Sequence, residues 1–199
     1  LGDVYKRQLS QRLGVSRTPV REAIRMLEQE GLVIMIPRKG AQVAEISEKD
    51  LKDVLEVRLG LEELAVRIAC QRITEEELEE LEQAVKEFEE AMKEDNLGVL
   101  AAADVKVHEV IYGSTHNKRL VQIISNIREQ MYRYRVEYLK DVESRKTLVE
   151  EHYAVYRALK ARNQQQAVKD ICIHIVNQQN AILRSLEPVS YTHLTLPTN

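Results

Sequence analysis

Apolar residues recur every three or four positions along most of this chain, which is the spacing expected of amphipathic helices. From about residue 47 onwards, this spacing predicts six helices separated by short loops. They run over about residues 47–72, 74–92, 97–112, 117–140, 143–162 and 165–186. Because short loops join neighbouring helices in opposite directions, the pattern predicts an all-α antiparallel bundle over residues 47–186.

The predicted fourth helix shows the pattern most clearly. Asn117 is placed to cap its start, as Thr74 and Glu77 form a capping box at the start of the second helix. Its inward positions are apolar or aromatic: Ile123, Ile124, Ile127, Met131, Tyr134 and Tyr138. We therefore expect one continuous helix over about residues 117–140.

The first part of the chain predicts a helix, a tight turn and a second helix. Leu9 and Leu13 form a short apolar pair, Gly14 provides the turn, and Gly31 marks the end of the second helix. The stripe of the second helix that we expect to be buried contains Val20, Ile24 and Leu27. A short apolar run over residues 33–36, a turn over 37–40 and a return over 41–44 then predict a β-hairpin.

Three arginines, Arg17, Arg21 and Arg25, lie four positions apart and so share an exposed face of that second helix. A guanidinium can bind a phosphate, or the O6/N7 edge of guanine through two hydrogen bonds. Arg38 and Lys39 stand at the tip of the hairpin. This arrangement favours DNA binding, although an ordinary amphipathic helix with a solvated basic face and a generic β-turn have the same pattern.

Charge supports contact with nucleic acid at one end only. Residues 1–40 contain eight Lys or Arg and four Asp or Glu, a charge of +4, which leaves −7 for the rest of a chain whose net charge is −3. Two cysteines lie far apart among apolar residues, as expected of free thiols in a reducing cytosol. No apolar run approaches a membrane span and no signal peptide is visible, so we expect a cytoplasmic protein.

The string SRTPVREAIRMLEQEGLV over residues 16–33 resembles the recognition-helix signature of the GntR family of bacterial winged helix-turn-helix regulators. The resemblance implies that this helix enters the major groove and that Arg17 and Arg21 contact bases or phosphates. It implies a partial winged helix-turn-helix domain over residues 9–45, with operator DNA as the partner. The candidate DNA-binding residues are Arg17, Thr18, Arg21, Arg25, Arg38 and Lys39.

Both ends of the chain look foreign to this organisation. Residues 1–8 do not begin with Met, and they leave no room for the further helix that a winged domain needs before Leu9. Residues 189–199 lack helical periodicity. Both strings resemble translated adapter sequence, so we predict that these segments are non-native.

Four polar residues occupy positions where the bundle pattern calls for apolar ones. Asp104 and His108 are four apart on the third predicted bundle helix, His152 lies on the fifth and His174 on the sixth. Burying them unpaired is costly, whereas a divalent metal bound by three imidazoles and one carboxylate would satisfy all four. Separate core histidines bonded to backbone or tyrosine, with a capped aspartate, are the alternative.

The spacing Asp104-x-x-x-His108, followed by His152 and His174, resembles the metal-binding set of the FCD domain, the ligand-sensing half of FadR-type GntR regulators. The resemblance covers about residues 47–186. It implies that these four residues bind a divalent metal, zinc first, with nickel or manganese also suited to the ligands. It further implies that the metal helps to bind a small carboxylate effector inside the bundle.

Arg58 is a candidate effector-binding residue, because the family has an arginine at this point that can hold the effector carboxylate. An ion pair with Glu62, one turn further on, is the structural alternative. Three tyrosines are candidates to line the pocket: Tyr134, Tyr138 and Tyr156. Of these, Tyr134 is the candidate for direct contact with the effector. Aromatic residues at helical spacing are also typical of plain core.

Together these features predict a homodimeric, ligand-responsive transcription regulator that is not an enzyme. Metal and organic acid would shift the bundle between conformations with different operator affinity. One alternative is a metal-dependent hydrolase, because an open metal site can activate water. The other is a sensor of the metal ion itself.

Overall fold

The computed structural model describes residues 2–37, 39–94 and 96–186, which divide into two compact units at residue 47. The first unit consists of two helices followed by two strands: α1 (Gly2–Leu13), α2 (Arg17–Gln29), β1 (Val33–Ile36) and β2 (Gly40–Val43). The strands pair antiparallel, with Val33 opposite Val43 and Ile36 opposite Gly40. The predicted helix-turn-helix and hairpin are therefore present.

Glycine ends both helices of the first unit. Gly14 and Gly31 have φ angles of +65° and +72°, in the left-handed region that L side chains rarely adopt. After α2, the Leu32 N–H donates to the Leu27 carbonyl at 2.9 Å and the Gly31 N–H donates to Glu28 at 3.0 Å. These two bonds form a Schellman motif, which stops the helix and turns the chain into β1.

Two details of the first unit differ from the sequence prediction. Residues 2–8, which we expected to lie outside the fold, form the first part of α1. In α2 only Val20 of the expected stripe is buried; Ile24 is half-buried and Leu27 is 37% exposed. Among the described residues of this unit the helix contacts α1 and β1 and no further helix, so its apolar face is only partly covered. Residues 189–199 lie outside the described residues.

The second unit is a bundle whose described part has seven helices: α3 (Glu48–Arg72), α4 (Glu75–Ala91), α5 (Leu97–Gly113), α6 (Lys118–Asn126), α7 (Arg128–Tyr138), α8 (Val142–Lys160) and α9 (Gln164–Leu186). Helix α9 packs between α3 and α8, and α4 packs on α5 and α8. The predicted fold class, a winged helix-turn-helix followed by a helical bundle, is confirmed. No helix among the described residues is both long and apolar enough to cross a bilayer.

Side-chain caps fix the starts of several bundle helices. Thr74 and Glu77 form the predicted capping box at α4, and Asn117 accepts from two backbone N–H groups at the start of α6. Asn96 and Asp141 cap α5 and α8 in the same way. These polar residues set the positions at which α5 and α8 carry their functional side chains inward.

The expectation of one continuous fourth helix was wrong. Ile127 leaves the helical region, with φ −108° and ψ 8°, and its N–H donates to the carbonyl three residues earlier, so α6 and α7 are separate. The predicted stripe is therefore discontinuous. Ile124, Met131 and Tyr134 are buried, whereas Ile123 is 51% exposed.

Candidate metal and effector site

Four buried side chains from three helices meet inside the bundle. Helix α5 supplies Asp104 and His108, α8 supplies His152 and α9 supplies His174. Each is at most 2% exposed, and one potential ligand atom from each lies within 4.8 Å of those of the other three. We call these residues the quartet. The inward stripes predicted from the sequence do converge on one point.

The ring nitrogens of the quartet face one another and the aspartate. His108 Nε2 lies 3.2 Å from His174 Nε2, and His152 Nε2 lies 3.2 Å from Asp104 Oδ1. His108 Nε2 is 4.0 Å from Asp104 Oδ2. The rings of Phe88 and His152 pack edge to face at a centroid distance of 4.6 Å, which restricts the plane of that imidazole. Three nitrogen atoms and a carboxylate oxygen thus surround a small volume.

Two glutamates orient the rings of His108 and His174 through the nitrogen that faces away from the quartet. Glu62 lies 3.2 Å from His108 Nδ1, and Glu151 lies 2.8 Å from His174 Nδ1. Because an ionised carboxylate can only accept, each ring carries its proton on Nδ1 and turns the lone pair of Nε2 towards the quartet. A carboxylate behind a ligating histidine is the usual second contact in metal sites. From the sequence alone, Glu62 is expected only as an ion-pair partner of Arg58.

Burial and nearby charges keep Asp104, His108 and His152 in the protonation states that a cation needs. Burial lowers the pKa of His108 to about 4, against the opposing effect of Glu62. Burial also lowers the pKa of His152. Although burial alone would raise the pKa of Asp104, Arg135 and His152 hold it well below its usual value. At neutral pH these two imidazoles are therefore neutral and the aspartate is ionised.

Arg135 is the functional residue that the sequence analysis missed. It is 3% exposed, and its Nε donates to Asp104 Oδ2, which also accepts from the Tyr138 hydroxyl at 2.8 Å. A signal was present, because Arg135 follows Met131 by four and precedes Tyr138 by three, on the inward face of α7. A guanidinium at such a position needs an anion, as was argued for Arg58.

Arg58 reaches the edge of the quartet. It is 1% exposed; Nε donates to Glu62 at 3.3 Å and Nη1 donates to Gln178 Oε1 at 2.6 Å. The amide of Gln178 in turn lies 2.8 Å from His174 Nε2. The remaining nitrogen, Nη2, is buried and has no hydrogen-bond partner among the described residues. Arg58 therefore makes the expected ion pair and also retains an unused donor.

Tyr134 lies elsewhere on α7. It is buried, and burial raises its pKa, as does Asp50 near the start of α3, against the opposing effect of Arg133. The tyrosines that touch the site are Tyr138, on Asp104, and Tyr112, whose hydroxyl donates to Glu62 at 2.6 Å. Among the described residues, no hydrogen bond joins Tyr134 to the quartet. Its role as an effector contact stays a prediction.

The quartet fits a divalent metal on two observations. Asp104 Oδ1 and both ring nitrogens of His152 are buried without a hydrogen-bond partner among the described residues, which is costly unless something binds them. The donor set, three imidazole nitrogens and one carboxylate oxygen, also suits zinc and related transition metals. Separate core histidines bonded to backbone would not leave these atoms unpaired.

Two cavities lie beside the site. The first, of about 190 Å³, is lined by residues of α5, α6 and α7 and includes His108 and Arg135. The second, of about 320 Å³, is lined by residues of α7, α8 and α9 and includes Tyr138 and Gln178. The first lining is largely apolar, whereas the second is rich in Ser, Thr, Asn and Gln side chains. Only the first of these two includes a member of the quartet.

The proposed DNA-facing side chains of the first unit are accessible. Arg17, Thr18, Arg21 and Arg25 are exposed on α2, where Arg25 also lies 3.3 Å from Glu22. Lys39 is exposed between the two strands. Arg38 lies outside the described residues. The described basic side chains are therefore exposed to solvent, as contact with a phosphate backbone requires.

Comparison with known proteins adds family information to this geometry. The FCD domain profile matches residues 53–177, and the profile of bacterial regulatory proteins of the gntR family matches residues 5–43. The Nta operon transcriptional regulator of Aminobacter aminovorans is 31% identical over 176 residues, covering 88% of this chain and 82% of the relative.

Solved structures share the fold. E. coli McbR/YncC superposes with a TM-score of 0.79 at 21% identity, covering 90% of this chain and 86% of that one. The metal-free FCD domain of TM0439 superposes with a TM-score of 0.59 at 16% identity, covering 72% of this chain and 98% of that domain.

Proposed function

The chain belongs to the FCD-domain regulators of the bacterial gntR family, and from this premise we propose that it couples a metal and effector site to operator binding. The quartet binds one divalent metal, with zinc preferred and nickel or manganese also suited to the ligands. A small carboxylate effector binds beside the metal. Occupation of this site changes the affinity of the α2 surface for operator DNA.

The observation that carries the metal assignment is the unpaired state of Asp104 Oδ1 and His152 Nε2 within 3.2 Å of each other in a buried site. When bound, the metal supplies a Lewis-acidic centre for an anionic oxygen. The residues of this chain do the rest. Glu62 and Glu151 hold the His108 and His174 rings in the tautomer that ligation needs, and burial excludes water.

The charge of the site supports an anionic effector. Arg58 and Glu62 form one buried pair, Arg135 and Asp104 form another, and their charges cancel. A bound divalent cation would then give the site a net charge of +2. The net charge is +1 when the carboxylate of Glu151 is counted. An excess of positive charge in a buried site favours an anion such as a carboxylate. The unpartnered Nη2 of Arg58 is a donor for it.

The DNA-binding half of the proposal relies on α2. Its exposed arginines Arg17 and Arg21 are placed to contact bases or phosphates in the major groove, and Thr18, Arg25, Arg38 and Lys39 add phosphate contacts. We propose a homodimer, because two such helices read a palindromic operator. An effector changes operator affinity only if it binds the two conformations of the regulator unequally.

Metal content of His152→Ala tests this proposal. The variant removes one quartet ligand, so we expect a sharp fall in bound zinc by elemental analysis after dialysis against the metal. His116→Ala is the matched control, because His116 is an exposed histidine outside the quartet. Full zinc occupancy in His152→Ala would refute the metal site. Operator affinity measured with zinc alone and with zinc plus acid separates an acid-responsive regulator from a sensor of the metal itself.

A further inference from the structure

The 190 Å³ cavity has an inner end and an outer end of different chemistry. Its inner end contains His108 and Arg135, which are 1% and 3% exposed. Its outer end contains Glu109 and Arg128, two exposed residues that form an ion pair at 3.3 Å. The wall between them is mainly apolar: Val105, Tyr112, Val121, Ile124 and Met131. A molecule that enters here passes the Glu109–Arg128 ion pair, then the apolar wall, and reaches the guanidinium of Arg135 last.

Arg135 is suited to hold an anion at this inner end. Its Nε already donates to Asp104, and a guanidinium has five N–H donors in a planar fork, so one carboxylate does not exhaust it. The Tyr138 hydroxyl also donates a hydrogen bond to Asp104. When a cation binds Asp104, the electrostatic interaction between that carboxylate and Arg135 weakens. The guanidinium then has donors for a second carboxylate.

We propose that the effector is a small monocarboxylate with an apolar body, whose carboxylate binds Arg135 and whose body fills this cavity. The inference rests on the proposed function and names the class of acid. It differs from it in one respect: the carboxylate binds Arg135, which lines this cavity, and not Arg58, which does not line it. Between Arg135 and the polar outer end, a second carboxylate or a chain of hydroxyls would lie mainly against Val105, Ile124 and Met131, whose side chains offer no hydrogen bonds. Burying such groups unpaired is costly.

The cavity also bounds the size of the acid. A volume of 190 Å³ holds at least about six water-sized groups at roughly 30 Å³ each, enough for a carboxylate and a short carbon chain. Each methylene buried against the wall raises affinity about fourfold. Affinity should therefore rise from butyrate to hexanoate and level off once the chain reaches the open end between Glu109 and Arg128.

A calorimetric titration of the full chain, saturated with zinc, tests the inference. The probes are butyrate, hexanoate, succinate, gluconate and the neutral amide hexanamide. We expect hexanoate to bind at least tenfold more tightly than succinate or gluconate, and hexanamide to show no measurable binding. Preference for succinate or gluconate, or equal binding of hexanamide, would overturn it.

Two variants locate the site. Arg135→Gln should weaken hexanoate binding at least tenfold, whereas Arg133→Gln, two residues away on another face of α7, should not change it. Val105→Thr keeps the side-chain volume but adds a hydroxyl to the wall, so it should weaken hexanoate and improve gluconate. Unchanged binding in Arg135→Gln, or the opposite response of Val105→Thr, contradicts the assignment. Val105→Thr and the probe series still decide if Arg135→Gln fails to fold.

The same measurements separate this inference from the proposed function. If zinc is bound and gluconate or succinate shifts operator affinity, the proposed function holds and the apolar cavity is not the effector site. If zinc is absent from the wild-type chain after metal dialysis, the proposed function itself has failed.

Discussion

The Arg135–Asp104 ion pair should be the most expensive single contact to break in the metal-free bundle. Both residues are at most 3% exposed, and Arg135 is a full positive charge in direct contact with the carboxylate. Replacing Arg135 with Met keeps the stem but leaves the Tyr138 hydroxyl as the one hydrogen-bond donor to Asp104 among the described residues. Removing one partner of a buried pair costs about 3–5 kcal/mol, so Arg135→Met should destabilise the zinc-free protein by that amount.

Urea denaturation in EDTA, followed by tyrosine fluorescence, measures this cost. Tyrosine suits the bundle because the sequence has no Trp and six of its eight tyrosines lie in residues 112–156. Asp104→Asn combined with Arg135→Met removes both charges, so the double variant should be more stable than Arg135→Met alone. Arg133→Met on the same helix controls for the loss of an arginine and should cost less than about 1 kcal/mol.

The same prediction can also be tested in the presence of zinc. A bound cation again provides Asp104 with a positive partner, so the cost of Arg135→Met should shrink when the titration is repeated in excess zinc. Zinc at a hundredfold excess over its dissociation constant should also raise the unfolding free energy of the wild-type chain by about 2.7 kcal/mol. A cost below about 1 kcal/mol in EDTA would refute the reasoning about the buried pair, and an equal cost with and without zinc would count against metal at Asp104.

Three further predictions concern other parts of the chain. Arg21→Ala should abolish specific operator binding and, if Arg21 contacts a phosphate, reduce the salt slope by about 1; an unchanged gel shift with an unchanged slope would exclude Arg21 from the interface. Gly31→Ala should destabilise the first unit by about 1 kcal/mol in thermal melts, because Gly31 has φ +72°, and a matched Gly113→Ala change inside α5 should not. Burial raises the pKa of the Cys70 and Cys172 thiols, so at pH 8 iodoacetamide should modify both more slowly in the folded chain than in urea; equal rates would contradict this burial.

The sequence was informative wherever a residue broke a periodic pattern. Asp104, His108, His152 and His174 stand on apolar stripes, so the period of the helix alone indicates that they point inward. The helix caps could also be predicted. Thr74 with Glu77, and Asn117, form hydrogen bonds with backbone groups less than one helical turn away. Such features depend on neighbours three or four positions away, which a single sequence displays directly.

What the sequence did not show depends on partners that are distant along the chain. Arg58 pairs with Glu62, four residues on, and this pair was considered in advance. Arg135 pairs with Asp104 from another helix, and Glu151 supports His174 across 23 positions, so neither pairing is visible in local spacing. The exposure of Leu27 and the break at Ile127 likewise depend on what packs against those helices, which periodicity does not specify.

The difference between the two arginines has a mechanical consequence. Arg58 and Glu62 lie on the same helix, so their pair holds its geometry whatever the neighbouring helices do. Arg135 and Asp104 join α7 to α5, and the 190 Å³ cavity lies between these helices and α6. An anion that competes with Asp104 for Arg135 therefore acts on the contact that sets the spacing of α5 and α7. A conformational response needs such a contact, because a ligand shifts an equilibrium only through an interaction that differs between its two states.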